Sequence, residues 1–182
     1  MMATLQWLLF STCLLVLFMA LRFVWLGQQL RRHPHVEPVE RAKPEISCEL
    51  NALVGEIAAI ANIATPQLYI RRAALPNAFV VAAIARPELY LTDELLEHCC
   101  TTANPLAELT HVLAHEIAHI RRGDAIPLGL LHWLRGCAVM PARFRRRCER
   151  HIAIIEKDAD CEARQLVQRL SDIGPETTDE SG

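Results

Sequence analysis

His115, Glu116 and His119 stand in the arrangement H-E-x-x-H. On a helix, residues i and i+4 project from one face, so two imidazoles at this spacing can reach a single metal ion. Glu116 stands beside them, close enough to take a proton from water at that metal. A zinc ion bound this way acidifies water toward a pKa of ~7, so a carboxylate can complete its activation near neutrality. The surrounding Val112, Leu113, Ala114, Ile117 and Ile120 are apolar. The helix therefore reads as embedded in the core, where two unligated histidines would be costly.

A catalytic zinc takes three protein ligands and leaves one position open. Farther along, Glu156, Lys157, Asp158, Ala159 and Asp160 form an E-x-x-A-D arrangement with its two outer acids one helical turn apart. Glu156 is the expected third ligand and Asp160 the expected orienter of a ligand histidine; the plainer alternative is a solvated acidic face. Asp124, five residues beyond His119, is a further candidate for a histidine N–H, with an ordinary helix-end aspartate as the alternative. His132 and His151 are lone histidines, each a candidate for an alternative ligand or a transition-state donor.

These residues need elements to position them. Asn104 followed by Pro105 supplies Ncap and N1 signals for a long helix over residues 105–122, and Gly123 supplies its stop. A final helix is expected over residues 149–170. Leu50, Leu53, Val54, Ile57, Ile60 and Ala61 recur at helical spacing ahead of Pro66, which predicts a first amphipathic helix. Residues 67–72, 79–84 and 88–92 are short, rich in β-branched or aromatic side chains and punctuated by prolines, and read as strands of a small sheet. Thr92-Asp93-Glu94 reads as the cap of another helix. The expected fold class is α+β: a transmembrane helix followed by a mainly helical, zincin-like domain with a small β-sheet.

The region from residue 46 to 170 resembles the M48 family of gluzincin metallopeptidases, the group containing HtpX-like and CAAX-prenyl-type membrane proteases. Asn77-Ala78-Phe79 is similar to the family's N-A-F segment. His115 to Asp124 is similar to its H-E-x-x-H-x-x-x-x-D, and Glu156 to Ala163 to its E-x-x-A-D-x-x-A. The M56 sensor-type peptidases share the second motif and a later E-x-x-x-D; the Asn77–Phe79 segment favours M48. The resemblance implies one zinc per chain held by His115, His119 and Glu156, with Glu116 as the catalytic base. It also implies that Asn77, Ala78 and Phe79 border a groove where an extended peptide pairs by its backbone. Val80-Val81-Ala82-Ala83 departs from the glycine that commonly follows N-A-F. Few residues follow the last helix, so an oxyanion donor that many members place downstream is expected locally, from His151 or Arg164.

The rest of the chain bears on location. Residues 1–21 carry no charge and the apolar run continues past Arg22 through Phe23, Val24, Trp25 and Leu26, enough for the roughly 20 residues a membrane-spanning helix needs. An anchor is expected over 1–30, a solvated linker over 31–44, a metallopeptidase domain over 45–172 and a disordered acidic tail over 173–182. Arg31, Arg32, Arg41 and Lys43 follow the anchor and no Lys or Arg precedes it, which points the domain to the cytoplasm, as for a bacterial inner-membrane protein. The seven cysteines include no C-x-x-C pair and read as reduced thiols, in agreement with that side. A net charge of -2 gives no reason to expect a nucleic-acid partner. Residues 125–134 are largely apolar and a cluster of Arg143, Arg145, Arg146, Arg147 and Arg150 follows. That pattern suits either a hairpin dipping into an anionic membrane surface or an ordinary helix with a solvated basic end.

The function expected is a membrane-anchored, zinc-dependent endopeptidase acting on membrane or misfolded polypeptides. The alternative is a non-catalytic, membrane-anchored metal-binding regulator, which the retained Glu116 disfavours because a structural zinc needs no base.

Overall fold

The computed structural model describes residues 32–81, 86–136 and 140–173, with scattered positions before residue 30. Its elements run β1 (Val36–Pro38), α1 (Val39–Ala42), α2 (Pro44–Ile60), β2 (Gln67–Arg71), β3 (Ala78–Val81), β4 (Glu88–Thr92), α3 (Asp93–Thr101), α4 (Pro105–Arg122), α5 (Ala125–Gly136) and α6 (Ala142–Ile173). The mainly helical α+β domain expected from the sequence is present, with a mixed sheet of order β1-β2-β4-β3. Among the described residues no helix is long and apolar enough to cross a membrane. The anchor expected over 1–30 lies largely, and the tail expected over 173–182 almost wholly, outside those residues.

β4 is the spine of the sheet. It pairs parallel with β2 and antiparallel with β3, and all five of its residues are buried, as a strand covered on both faces must be. Leu89 and Leu91 point into the main core with Leu68 and Ile70 of β2. On the opposite face Tyr69, Tyr90 and Phe79 stack at centroid separations of 5.1 and 5.0 Å, the cross-strand pairing that fixes register in a short sheet. Thr92 then serves two elements at once. Its hydroxyl accepts from Leu95 N–H to cap α3 and from Asn77 N–H at the start of β3, at 3.3 and 2.8 Å.

Two expectations need correction. The stretch 31–44, read as a solvated linker, is structured from Val36 onward. β1 pairs antiparallel with β2, Val36 against Arg71, and Val39 of α1 is fully buried in the core. Its prolines forbid a long helix but not an edge strand, where the N–H that proline lacks has no ladder partner to satisfy. The last helix starts at Ala142 instead of near Glu149, so the arginine cluster forms its first turns. Residues 125–136 form α5, a helix packed on α6 with no fully buried residue.

α4 follows its sequence signals closely. The Asn104 side chain accepts from Ala107 N–H, Pro105 occupies the first turn, and Gly123 closes the helix in the left-handed region at φ 71°. Leu113, Ala114, Ile117 and Ala118 are fully buried, at the spacing of one helix face. His115, Glu116 and His119 fall together within an arc of about 100° on the adjoining flank. The Gly123 turn reverses the chain so that Asp124 N–H donates back to the His119 carbonyl at 3.0 Å, while the Asp124 carbonyl accepts from Leu128 to open α5 at 2.9 Å.

A Cβ at Gly123 would meet nothing within 4 Å, so substitution there tests backbone conformation alone. Gly123→Ala should cost about 1–2 kcal/mol, a fall in Tm of roughly 2–8 °C for a chain of this size. Gly123→Asn, which tolerates the left-handed region, should recover most of it. Equal melting temperatures for the two variants would show that this turn is not conformationally constrained.

Candidate metal centre

The two helices that carry the sequence motifs, α4 and α6, pack against each other over the most extensive interface between elements of the fold. Ala114 and Ala118 of α4 and Ala159 and Ala163 of α6 are all fully buried in one core cluster. Side chains this small let helix axes approach closely. Ala159 and Ala163 form a seam along α6, with acids on both sides. On one side Glu156 and Asp160 reach the imidazoles; on the other, Asp158 and Glu162 reach Arg122 and Arg121 at 3.3 and 3.0 Å.

His115 Nε2, His119 Nε2 and Glu156 Oε2 converge, with separations of 3.1 Å between the imidazoles and 3.3 and 3.4 Å from each to the carboxylate. These three residues form a group able to hold a metal ion. Zinc bonds of about 2.0–2.1 Å in a tetrahedron imply ligand–ligand edges of roughly 3.3–3.4 Å, so the donor set fits such an ion in both chemistry and spacing. Each histidine is held through its other nitrogen. His115 Nδ1 lies 2.8 Å from Asp160 Oδ1, and His119 Nδ1 lies 3.2 Å from Asp124 Oδ2. With the proton on Nδ1, each ring donates to its carboxylate and turns the Nε2 lone pair toward the metal position. The two supports differ in environment: the Asp124 side chain is 9% exposed and that of Asp160 52%.

Glu116 is buried beside the ligands and is not one of the converging atoms. Burial first, and then the Glu156 carboxylate, push its pKa up to about 7. It lines a cavity of about 720 Å³ together with the three ligands. One wall of that cavity is β3 with Asn77, Ala78 and Phe79, and another is α5, through Ala125, Leu128, Gly129 and His132. The α5 set recurs at i, i+3, i+4 and i+7, the signature of a single helix face.

The profile of peptidase family M48 matches residues 44–139, just over half of the chain. The chain belongs to peptidase family M48. Among curated relatives, the chain is similar to a plastoglobule-localized metallopeptidase 48 of the chloroplast of Arabidopsis thaliana. The two are 36% identical over 95 residues, covering 52% of this chain and 26% of that protein. It is similar to a protease HtpX homolog of Acaryochloris marina, 35% identical over 108 residues, covering 56% of this chain and 33% of the other. A third similarity is to a protease HtpX homolog of Sulfurovum sp., 30% identical over 131 residues, covering 67% and 42% respectively. The chain thus spans less than half the length of these M48 relatives. The matched profile stops before Glu156, so the third ligand of this M48 chain is assigned by its convergence with the histidines.

Of the residues singled out from the sequence, His115, His119, Glu156, Asp124, Asp160 and Glu116 come together, and Asn77, Ala78 and Phe79 border the same cavity. His151 and Arg164 do not line it. His151 is hydrogen-bonded to the Arg147 carbonyl at 2.9 Å and Arg164 donates to the Asp160 carbonyl at 3.1 Å. His132 does line it. Sequence reasoning missed Arg71, which also lines the cavity, and Arg122, which bridges Asp124 and Asp158. Arg122 lies three residues from His119, a spacing that hints at a shared helix face, but its partner Asp158 is 36 residues away in the chain.

Zinc at ~100 times its Kd should stabilise the protein by about 2.7 kcal/mol, read as a rise in Tm over the chelator-treated protein. Glu156→Ala should abolish the rise and Glu116→Gln should keep it. A rise that survives Glu156→Ala would remove Glu156 from the ligand set.

Proposed function

We propose that this chain is a zinc-dependent endopeptidase that hydrolyses peptide bonds of membrane or misfolded proteins from a membrane anchor, with its catalytic domain on the cytoplasmic side. The observation that carries the reading is the conjunction of three converging ligand atoms, a buried non-ligating glutamate and a strand, β3, that pairs on one side only among the described residues, around one cavity. A structural metal site has no use for the second and third. The HtpX relatives, each named a protease, support the activity. The uncharged residues 1–21 support the anchor, and the arginines after them support the cytoplasmic side.

When bound, zinc supplies positive charge that acidifies water and polarises a carbonyl. Glu116 takes the proton from the attacking water and delivers it to the leaving amine. Its raised pKa suits both halves of that transfer, since a base is most effective when its pKa lies near the working pH. A divalent cation at the ligands would itself favour the charged form of Glu116 and lower this pKa, against the burial that raises it. The substrate lies along β3 as an added strand. Asn77 spends its backbone groups on Thr92, with Asn77 C=O accepting from Thr92 N–H at 3.0 Å. Alternation along an antiparallel strand then directs the N–H and C=O of Ala78 and Val80 to the open side. His132, the cavity-lining imidazole outside the metal set, is assigned to the developing oxyanion.

The test is hydrolysis of casein or an unfolded membrane protein by the zinc-loaded full chain. Glu116→Gln should abolish turnover while zinc stays bound. His132→Ala should lower kcat about 10²–10³-fold with KM nearly constant. Zinc binding without hydrolysis in the wild type would favour a metal-binding regulator, and undiminished kcat in His132→Ala would assign the oxyanion to another donor.

A further inference from the structure

Arg122 occupies a place in the site that neither the ligand motifs nor the proposed chemistry requires. Its Nε donates to Asp124 Oδ2 at 2.8 Å, the same oxygen that lies 3.2 Å from His119 Nδ1. Its Nη2 donates to Asp158 Oδ2 at 3.3 Å. Asp158 sits on α6 two residues past Glu156, and Asp124 sits at the start of α5. One guanidinium therefore ties together the helix carrying both histidines, the helix carrying the third ligand and the helix walling the cavity.

We propose that Arg122 is a positioning residue for the metal site, acting through Asp124 on His119 and through Asp158 on the placement of Glu156. The proposal rests on the metal-site reading above. The planar fork of arginine can present two N–H groups to two carboxylates in fixed directions, which the single point charge of lysine cannot. Asp124 is 7% exposed, so water is a poor substitute partner for its carboxylate. With Arg122 removed, that buried carboxylate keeps His119 Nδ1–H but loses the charged donor that fixes its orientation. His119 then loses its ring alignment without any change to a ligand. His115 differs. Its partner Asp160 is half exposed, and among the described residues no guanidinium grips that carboxylate; Arg164 donates to the Asp160 backbone carbonyl. The clamp thus sits on the buried half of the ligand pair.

The experiment is zinc affinity of the full chain by competition with a chromophoric chelator, paired with the visible absorption spectrum of the cobalt(II)-substituted protein. Arg122→Ala should weaken zinc about tenfold, the lower end of what loss of a ligand-orienting partner causes, and should alter the cobalt bands. Arg122→Lys should recover part of the affinity, and Asp158→Asn should weaken zinc by less than Arg122→Ala. The double variant Arg122→Ala/Asp124→Asn should lose less than the sum of the two single losses, since the Asp124 route is shared, and should fall below Asp124→Asn alone by no more than Asp158→Asn falls below wild type. Additive losses, or unchanged affinity in Arg122→Ala with only a lower Tm of the zinc-free protein, would overturn the proposal and leave the peptidase reading intact. Absence of zinc binding in the wild type would overturn both.

Discussion

Everything at the site depends on how closely α4 and α6 approach. For Glu156 to stand 3.3 and 3.4 Å from imidazoles on another helix, the two helices must pack directly against each other. The fully buried alanines 114, 118, 159 and 163 permit this. Protein interiors transmit changes of a methylene or two as backbone shifts, so a larger residue in this seam would move the third ligand out of reach without touching any ligand.

Close approach also brings charges together, and the fold disposes them by sign. The residues that α6 presents beside its alanine seam are acids, and the residues α4 presents to them are imidazoles and guanidinium groups. Glu156, Asp158, Asp160 and Glu162 each have such a partner. Buried or half-buried charges are costly when unpaired, so this matching lets an interface hold a metal-binding set at its edge while alanine and leucine fill its middle. It also makes the metal site and the docking of α6 parts of one cooperative unit, since the same side chains serve both.

The sheet contributes through its edge. β4 is consumed on both sides and both faces; β3 pairs on one side only among the described residues and lines the cavity that holds the metal ligands. Thr92 ties the start of β3 to the cap of α3, so the strand bordering the cavity is fixed by the same hydroxyl that begins the next helix. The absence of glycine after Phe79 leaves a regular four-residue strand, Ala78–Val81, compatible with an unbroken edge.

The sequence alone determined the local structure of the site. H-E-x-x-H with Asn104, Pro105 and Gly123 around it specifies a helix, its limits and the shared face of its two histidines, because capping and 3.6-residue periodicity act between near neighbours. The three strands were legible for the same reason, as short β-rich runs between prolines. The segment 36–42 is not legible in the sequence, because a strand's pairing depends on a distant partner, here β2, which composition does not reveal. Tertiary structure decided the rest. The packing of α6 on α4 brought residues some forty positions apart within bonding distance. The turn at Gly123 aimed Asp124 at His119, and Arg122 found Asp158 across the helix interface. Those contacts depend on side-chain volume at the alanine seam and on three-dimensional charge complementarity, which a linear pattern does not encode.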